Sequence, residues 1–360
     1  MLPASPSSIS TLSRYGWDDA WEQLALAHDG AGRLPGRIAR VDRGRVDVLT
    51  DGGRVRARCP VPPAVGDWVL VDPGGDPGGG PGSDPGRAPS VAAVLPRRTA
   101  LVRATVSGRS EAQVLAANVD TVLVTVPCEA GGRTGRVERL LALAWESGAT
   151  PVVVLTKTDR LDAVADAVAE LALSAPGVEV LAVSAVTGDG LDDVAAAARG
   201  TTVLVGPSGA GKSTLANALL GEEALAVGEV RASDGKGRHT TVHRQLVPFD
   251  GGVLVDTPGL RAVGLVDAAE GIDKAFTDVV ELADGCRFAD CAHDREPGCA
   301  VRAAVELGTL PERRWEAYRK LLREDEWAAA RTDARLAAER RGRSKTITKA
   351  QRAAYRRRGR

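Results

Sequence analysis

Apolar and polar residues follow two different patterns along the chain. Across residues 36–100 they alternate in short runs such as RVDVLT at positions 45–50, separated by turn sequences such as DGG at 51–53. Alternation with a period of two predicts short strands with one buried face, and the tight turns between them favour a small β-barrel or sandwich. We therefore predict a β-domain in the first part of the chain.

Beyond Asp120 short apolar runs alternate with segments of helical spacing. The apolar runs lie at residues 121–126, 152–155, 178–183, 202–205 and 253–255, and helical spacing is found at 137–145 and 163–173. Apolar strands separated by helices are typical of a parallel sheet covered on both faces. Beyond residue 272 the pattern is mainly helical and ends in a charged helix and a basic tail.

A chain of 360 residues exceeds what a single core usually holds, and 44% hydrophobic residues are enough for several cores. The patterns predict five parts, at residues 1–30, 31–102, 103–270, 271–338 and 339–360. In the first part Trp17 and Trp21 would anchor a short helix. The Gly/Pro-rich stretch at 72–90 is predicted to be a disordered insertion, because it cannot bury enough apolar surface to offset the entropy of ordering.

The net charge is zero but unevenly distributed. Residues 33–58 contain eight arginines against three aspartates, and residues 340–360 contain ten basic residues and no acidic one. Such clusters favour a polyanionic partner, and a solvated surface with a disordered tail is the alternative. Since we find neither a signal-peptide pattern nor an apolar stretch of about 18 to 20 residues, we expect a cytoplasmic protein without a membrane partner.

The sequence GPSGAGKS at 206–213 carries a phosphate-binding pattern. It matches G-x-x-x-x-G-K-[ST] and lies between a predicted strand and a predicted helix, which is the context that this motif requires. Lys212 would reach the β- and γ-phosphates, and Ser213 would bind Mg²⁺. The residues predicted to hold the phosphates are Gly206, Ser208, Gly209, Ala210, Gly211, Lys212, Ser213 and Thr214.

The sequence DTPG at 256–259 fits the second half of such a site. Asp256 would hold Mg²⁺, through a water molecule, and the Gly259 N–H would sense the γ-phosphate. The next position holds Leu260, where many GTPases carry the glutamine that orients the attacking water. Another side chain must then position this water.

The sequence TKTD at 156–159 predicts selectivity for guanine. The Asp159 carboxylate can accept hydrogen bonds from guanine N1–H and N2–H₂, which adenine lacks, and the Lys157 stem would cover the base. Thr156 stands where Asn is commonest, and Asn normally ties this loop to the phosphate loop. Ser184 and Ala185, after the next predicted strand, fit the loop that contacts guanine O6.

Four potential metal ligands occur within fourteen residues near the C-terminus. Cys286, Cys291, His293 and Cys299 supply three thiolates and one imidazole, which suits a closed tetrahedral Zn²⁺ site of structural type. The spacing differs from that of classical zinc fingers, so ordinary reduced cysteines are the alternative.

The base-reading motif precedes the phosphate loop, which is the reverse of the usual order in GTPases. Neighbouring termini in a doubly wound domain make such a circular permutation physically easy. With this order, a preceding β-domain and a following Cys/His cluster, the chain resembles the RsgA (YjeQ) family of circularly permuted GTPases. That family assists late maturation of the small ribosomal subunit. The resemblance covers nearly all of residues 31–325, including ANVD at 117–120 and GRHTT at 237–241.

The resemblance implies an N-terminal OB-fold barrel, a central permuted α/β P-loop GTPase domain and a C-terminal, mainly helical zinc-binding domain. It also implies hydrolysis of GTP to GDP and phosphate, stimulated by the small subunit and its rRNA and timing release of a factor. His239 is our candidate for orienting water, since the family's proposed catalytic histidine lies in the same G-x-H-T-T motif. One or both of Thr240 and Thr241 would meet Mg²⁺ and the γ-phosphate. The alternative is a surface or RNA-contacting His239.

Three other functions remain open at this point. A metabolic P-loop kinase would have no use for TKTD, and an RNA-binding assembly module would keep a mainly structural nucleotide site. A permuted GTPase of the large subunit is less consistent with an OB-fold plus a zinc cluster.

Because the chain leaves the GTPase domain soon after Gly259, we also hypothesise that loss of the γ-phosphate moves the Cys/His region. We find nothing that requires more than a monomer.

Overall fold

The computed structural model describes residues 11–28, 32–42, 44–74, 87–103, 113–130, 134–221, 245–256 and 268–332. The N-terminal part contains a 3-10 turn at Leu12–Tyr15 and helix α1 at Asp19–His28. Trp17 and Trp21 both pack on Trp68, with ring centroids 4.8 and 5.9 Å away. The predicted tryptophan-anchored helix is therefore present.

Five strands form a closed barrel, as the alternating pattern predicted. They are β1 Leu34–Asp42, β2 Arg45–Thr50, β3 Gly53–Arg58, β4 Trp68–Asp72 and β5 Ser90–Val94. Strand β1 pairs with β2 and β4, β2 with β3, β3 with β5, and β5 with β4. This closure agrees with the predicted OB-fold. The predicted insertion lies between β4 and β5, and residues 75–86 of it are outside the described residues.

The central part is a doubly wound sheet with the strand order β10-β9-β8-β11-β13-β12. Strand β12 alone runs antiparallel to its neighbour in this part. A two-stranded sheet, β6 Ala100–Arg103 with β7 Gln113–Ala117, precedes it and begins before the predicted boundary at residue 103. The remaining elements are β8 Thr121–Pro127, α2 Thr134–Glu146, β9 Thr150–Thr156, α3 Val164–Ala172, β10 Glu179–Val183, α4 Leu191–Ala197, β11 Gly200–Val205, α5 Lys212–Leu220, β12 Gln245–Phe249 and β13 Gly252–Asp256.

The C-terminal part is helical, with α6 Ala269–Ala275, α7 Thr277–Asp284, α8 Ala300–Glu306 and α9 Glu312–Thr332. Its buried residues do not form a core of their own. Ile272, Val301 and Leu321 belong to the same hydrophobic cluster as Val122 of β8 and Leu141 of α2. Within the described residues, we find no helix long and apolar enough to cross a bilayer.

Candidate nucleotide site and metal centre

The predicted nucleotide-binding motifs lie at one edge of the central sheet. Strands β8, β9, β10, β11 and β13 are parallel, so their carboxyl ends share one edge. Thr156 ends β9, Ser184 follows β10, Gly206 follows β11 and Asp256 ends β13. Ligands of open α/β sheets bind outside the carboxyl ends of the strands. The permuted chain order is therefore compatible with one site, because the sheet order brings the motifs together.

The phosphate loop has the backbone conformation that its glycines permit. Gly209 and Gly211 have φ of 78° and 80°, the left-handed region that glycine enters readily. A Cβ on Gly206 would overlap the side chain and carbonyl of Thr125, so the loop passes close to β8. Helix α5 begins at Lys212, which places Ser213 and Thr214 in its first turn, where free N–H groups attract anions.

Lys212 is held over the loop. Its Nζ donates to the carbonyl oxygens of Gly206 at 2.9 Å and Pro207 at 2.7 Å. These contacts keep the ammonium group above the loop that is predicted to receive the phosphates.

The base-reading residues line a small cavity of about 130 Å³. Thr156, Lys157, Asp159 and Ala185 contribute to its wall, together with Thr214 of α5. The Asp159 carboxylate is oriented by Ser184, whose Oγ donates to Oδ1 at 2.8 Å. Ser184 is fully buried, so this hydrogen bond is shielded from solvent. The site residue Ser184 therefore acts through its side chain on Asp159.

Thr156 connects the base-reading loop to the phosphate loop, although it replaces the more usual Asn. Its Oγ1 lies 2.8 Å from the Ala210 carbonyl oxygen, to which it can donate, and 3.3 Å from that of Val126. The side chain is only 3% exposed. A single hydroxyl thus makes the contact between the two loops.

Glu129 is a neighbour of the base-reading loop that the sequence patterns did not reveal. Its carboxylate accepts from Lys157 Nζ at 3.2 Å and pairs with the Arg160 guanidinium. The hydrogen bond from Lys157, together with that from Arg160, lowers the pKa of Glu129. Lys157 itself has φ of 62°, so its side chain leaves the loop from a left-handed residue. No sequence motif marks Glu129, because its partners are 28 and 31 residues away.

Several predicted site residues lie outside the part of the chain that the structure describes. These are His239, Thr240, Thr241 and Gly259. Asp256 is described only as the last residue of β13, where it pairs with Gln245. The predicted roles of these five residues stay predictions.

The four predicted metal ligands are close together. Their ligand atoms all lie within 4.8 Å of one another. Cys286 Sγ is 3.4 Å from His293 Nδ1 and 3.9 Å from Cys299 Sγ, and His293 Nδ1 is 3.4 Å from Cys299 Sγ. Tetrahedral Zn²⁺ with Zn–S of about 2.3 Å and Zn–N of about 2.0 Å would set these separations at about 3.8 and 3.5 Å. The separations among Cys286, His293 and Cys299 fit such an ion, and Cys291 lies within 4.8 Å of them as the potential fourth ligand.

Helix ends and backbone N–H groups orient the cluster. Cys286 follows α7, and Cys299 caps α8, accepting from the Arg302 N–H at 3.4 Å. The Ala300 N–H donates to Cys286 Sγ, also at 3.4 Å. Such N–H donors stabilise thiolate ligands and fix their direction. The His293 ring meets Trp315 of α9 edge to face, at a centroid distance of 5.5 Å, which joins the cluster to the core.

Comparison with known proteins agrees with this arrangement. A family model described as RsgA GTPase matches residues 94–266. "Small ribosomal subunit biogenesis GTPase RsgA" from Streptomyces coelicolor is 53% identical over 93% of this chain and 92% of its own length. The protein of the same name from Opitutus terrae is 41% identical over 97% of this chain and 99% of its own.

Solved structures show the same fold. The crystal structure of YjeQ from Thermotoga maritima matches 81% of this chain and 98% of its own, with a TM-score of 0.58 and 28% identity. YloQ, titled a circularly permuted GTPase, matches 82% of this chain with a TM-score of 0.57. The gathered motifs and the barrel before them agree with these comparisons, which show that the chain belongs to the RsgA family and is a GTPase.

Proposed function

We propose that this ribosome biogenesis GTPase binds the small (30S) ribosomal subunit late in its maturation and hydrolyses GTP when the subunit stimulates it. Hydrolysis would time the release of the protein or of another assembly factor. The observation that carries the proposal is the gathering of a guanine reader and a phosphate loop at one sheet edge, in a chain 53% identical to a protein named for small-subunit biogenesis.

In this proposal the described residues bind and orient GTP. Asp159, held by Ser184, accepts from the guanine N–H groups, and the Lys157 stem covers the base. Lys212 and the N–H groups of the phosphate loop hold the phosphates, while Thr156 fixes the distance between the two loops.

Hydrolysis would use a second set of residues. Ser213, with Asp256 through water, would hold Mg²⁺, which neutralises charge on the phosphates. Gly259 would contact the γ-phosphate, together with Thr240 and Thr241. His239 would orient the attacking water, because Leu260 cannot form a hydrogen bond.

The barrel offers a surface for RNA. Arg54, Arg56 and Arg58 alternate along β3 and are exposed, while the residues between them face the barrel interior. Arg45 of β2 lies opposite Arg58. Alternate residues of a strand are about 7 Å apart, so the arginines form a basic row that can follow a sugar-phosphate backbone.

The arginines of this row differ in their availability. Arg56 is already paired with Asp42 at 2.9 Å and Asp47 at 3.0 Å. Arg45, Arg54 and Arg58 form no ion pair with any described residue. These three are therefore the residues that we expect to release counterions from rRNA phosphates.

We propose Zn²⁺ as the ion of the Cys/His cluster, with a structural role, since four protein ligands leave no position for water. We also propose that the protein acts as a monomer in the cytoplasm, with the five parts predicted from the sequence as its domains. The helices between residues 271 and 332 carry more acidic than basic residues, so positive charge near the C-terminus would come from residues 340–360.

The alternative function is that of an RNA-binding assembly module whose nucleotide site is mainly structural. The alternative predicts that His239→Ala leaves phosphate release unchanged. Our proposal predicts that this variant binds GTP but loses stimulated hydrolysis.

The docking surface is tested by sedimentation with salt-washed small subunits. Replacing Arg45, Arg54 and Arg58 together by Ala should weaken binding and flatten its salt dependence by about one unit of slope per lost phosphate contact. A control variant loses Arg199, Arg302 and Arg323, which lie on other surfaces. Equal binding by both variants would contradict docking through the barrel.

A further inference from the structure

The base-reading loop contains one residue with an unfavourable backbone conformation. Lys157 has φ of 62° and ψ of 36°, which lies in the left-handed region that residues with a Cβ rarely adopt. Such conformations persist only where the surrounding structure holds them, and they are common at ligand sites. Contacts from outside the loop must therefore hold Lys157 in this conformation.

A short turn after the neighbouring strand supplies these contacts. Strand β8 is followed by a single 3-10 turn at Cys128–Ala130. The Cys128 thiol donates to the main-chain oxygen of Lys157 at 3.2 Å, and the Glu129 carboxylate accepts from Lys157 Nζ, also at 3.2 Å. Two consecutive residues of one turn thus hold both the backbone and the side chain of Lys157.

The Glu129 carboxylate also pairs with the guanidinium group of Arg160, which directly follows the TKTD motif. The hydrogen bonds from Lys157 and Arg160 lower the pKa of this carboxyl group, so it is charged at neutral pH. Arg160 lines the base cavity together with Asp159. One carboxylate therefore joins the two cations that stand before and after Thr158 and Asp159 in the chain.

Glu129 directs the end of the Lys157 side chain away from the base cavity. Lys157 lines two cavities, the one formed by the base-reading residues and another of about 320 Å³ beside Ser208 and Gly209 of the phosphate loop. Glu129 lines the second of these cavities. Because the ammonium group is held on that side, the Lys157 stem is left to form part of the wall of the base cavity.

We propose that Glu129 is a positioning residue for guanine binding and acts through Lys157. By holding the ammonium group, it keeps the Lys157 stem along the cavity wall, where the stem can cover the face of the base. A stem that is already held loses less conformational entropy when the base binds, since flexible side chains are costly to immobilise. In this arrangement Glu129 does not touch the nucleotide. The inference rests on the proposed role of Lys157 in covering the base.

Removing the charge of Glu129 distinguishes positioning from simple electrostatics by the sign of the effect. A carboxylate beside the phosphate loop that acted only through its charge would repel the nucleotide phosphates, so its removal would tighten binding. A carboxylate that positions Lys157 has the opposite effect, because its removal frees the lysine side chain and weakens binding.

The test measures GDP binding by calorimetric titration of the full-length protein without ribosomal subunits. Glu129→Gln keeps the shape of the side chain but removes its charge. Glu170→Gln removes the same charge from an exposed position of α3 and serves as the matched control. Thermal unfolding curves measure the folded fraction of each variant.

We expect Glu129→Gln to bind GDP about threefold more weakly, since an exposed ion pair changes an equilibrium by a factor of up to about five. The affinity of Glu170→Gln should equal that of the parent protein. In GTP hydrolysis the KM of Glu129→Gln should rise by the same factor while kcat stays unchanged, which is the pattern of a lost binding contribution. Unchanged or tighter GDP binding by Glu129→Gln would overturn the inference.

Lys157→Met determines whether Glu129 acts through Lys157. The methionine keeps an unbranched side chain but has no ammonium group for Glu129 to hold. GDP should bind more weakly to this variant, and adding Glu129→Gln should weaken binding no further, because the two residues form one unit. An equal loss of affinity from Glu129→Gln with and without the lysine would overturn the inference.

Failure of the inference and failure of the proposed function give different results. If Lys157→Met binds GDP as the parent protein does, the proposed role of Lys157 is wrong and the inference falls with it. If Lys157→Met binds GDP weakly but Glu129→Gln does not, Lys157 keeps its role and only the inference is wrong. Absence of stimulation by small subunits in the parent protein would overturn the ribosomal role instead.

Discussion

The barrel and the metal-binding region join the GTPase domain in different ways. The barrel keeps a core of its own, built from residues such as Ile38, Val48 and Val69, and only some of its residues, such as Ala39 and Val65, belong to the cluster of the GTPase domain. The helices around the metal ligands share the core of β8 and α2. A region without a core of its own resists relative movement, because separating it from the rest exposes most of its apolar surface, whereas a region with its own core keeps that core buried.

The barrel and the metal-binding region each contact the GTPase domain through one buried arginine. The two arginines bind different kinds of acceptor. Arg37 of β1 donates to the carbonyls of Gly66, Asn118 and Tyr15 and, at 2.7 Å, to Thr201 Oγ1. Its acceptors are all neutral, and burial lowers its pKa to about 10. It joins the N-terminal segment, the barrel and the start of β11.

Arg314 of α9 binds carboxylates instead. It pairs with Glu138 of α2, at 3.1 Å, and with Asp278 of α7 through two nitrogens. Glu138 is fully buried, and this burial raises its pKa. The metal-binding region is therefore an extension of the GTPase core, which argues against our hypothesis that loss of the γ-phosphate moves it as a separate body.

The largest effect is expected from removing the metal. Because Cys299 and Val301 lie in the shared core, a chelator should destabilise α2 and β8 as well as the ligand loop, by on the order of 5 kcal/mol or more. Acid should act in the same direction, since the thiol and imidazole ligands must be deprotonated to bind. Hydrogen exchange followed by mass spectrometry measures both regions, and protection retained in α2 would contradict the shared core.

Arg314→Met should have the next largest effect. It leaves buried Glu138 with only the longer ion pair to Arg313, at 3.7 Å, which costs about 3 kcal/mol, at the low end of such losses because this pair remains and Glu138 can become protonated. Urea unfolding measures this. The double variant Glu138→Leu with Arg314→Met removes both charges and should recover most of the stability, so an equally unstable double variant would refute the ion-pair explanation.

Arg37→Met should cost less, about 1 to 2 kcal/mol, because it leaves neutral carbonyls rather than a carboxylate without a partner. Faster hydrogen exchange is expected at Tyr15 and in the first residues of β11, with the metal-binding region unchanged. Arg37→Lys retains a donor and serves as the comparison. Equal loss of hydrogen-exchange protection at Tyr15 and β11 and in the metal-binding region would show that the contacts of the barrel and of the metal-binding region with the GTPase domain are not independent.

The smallest effect concerns the single hydroxyl between the base-reading and phosphate loops. Thr156→Val keeps the shape but removes the donor to Ala210, so GTP and GDP should both bind about fivefold more weakly, which corresponds to about 1 kcal/mol. Thr156→Asn can restore a donor. Calorimetric titration with GDP separates the variants, and unchanged affinity in Thr156→Val would mean that the contact contributes nothing.

The sequence was most informative where function requires residues at fixed short spacing. The phosphate loop, TKTD and the Cys/His cluster follow such spacing, and their described residues lie together. The alternating and apolar runs likewise predicted the barrel and the parallel sheet. Strand β6 was not anticipated, since four residues are too few to show a period.

The contacts of Arg37 and Arg314 could not be predicted, because the residues that they contact are distant in sequence. Glu138 and Arg314 are 176 residues apart. Arg37 resembles the other arginines of the basic segment, yet among those that the structure describes it alone is fully buried. Only the packed chain distinguishes a buried arginine such as Arg37 from an exposed one such as Arg54.

The central claim is that the small ribosomal subunit stimulates GTP hydrolysis by this protein. Phosphate release from GTP should be measured with salt-washed small subunits, with large subunits and with neither. We predict a strong increase with small subunits only, and none for His239→Ala. Equal rates in all three conditions, with GTP still bound, would contradict the claim.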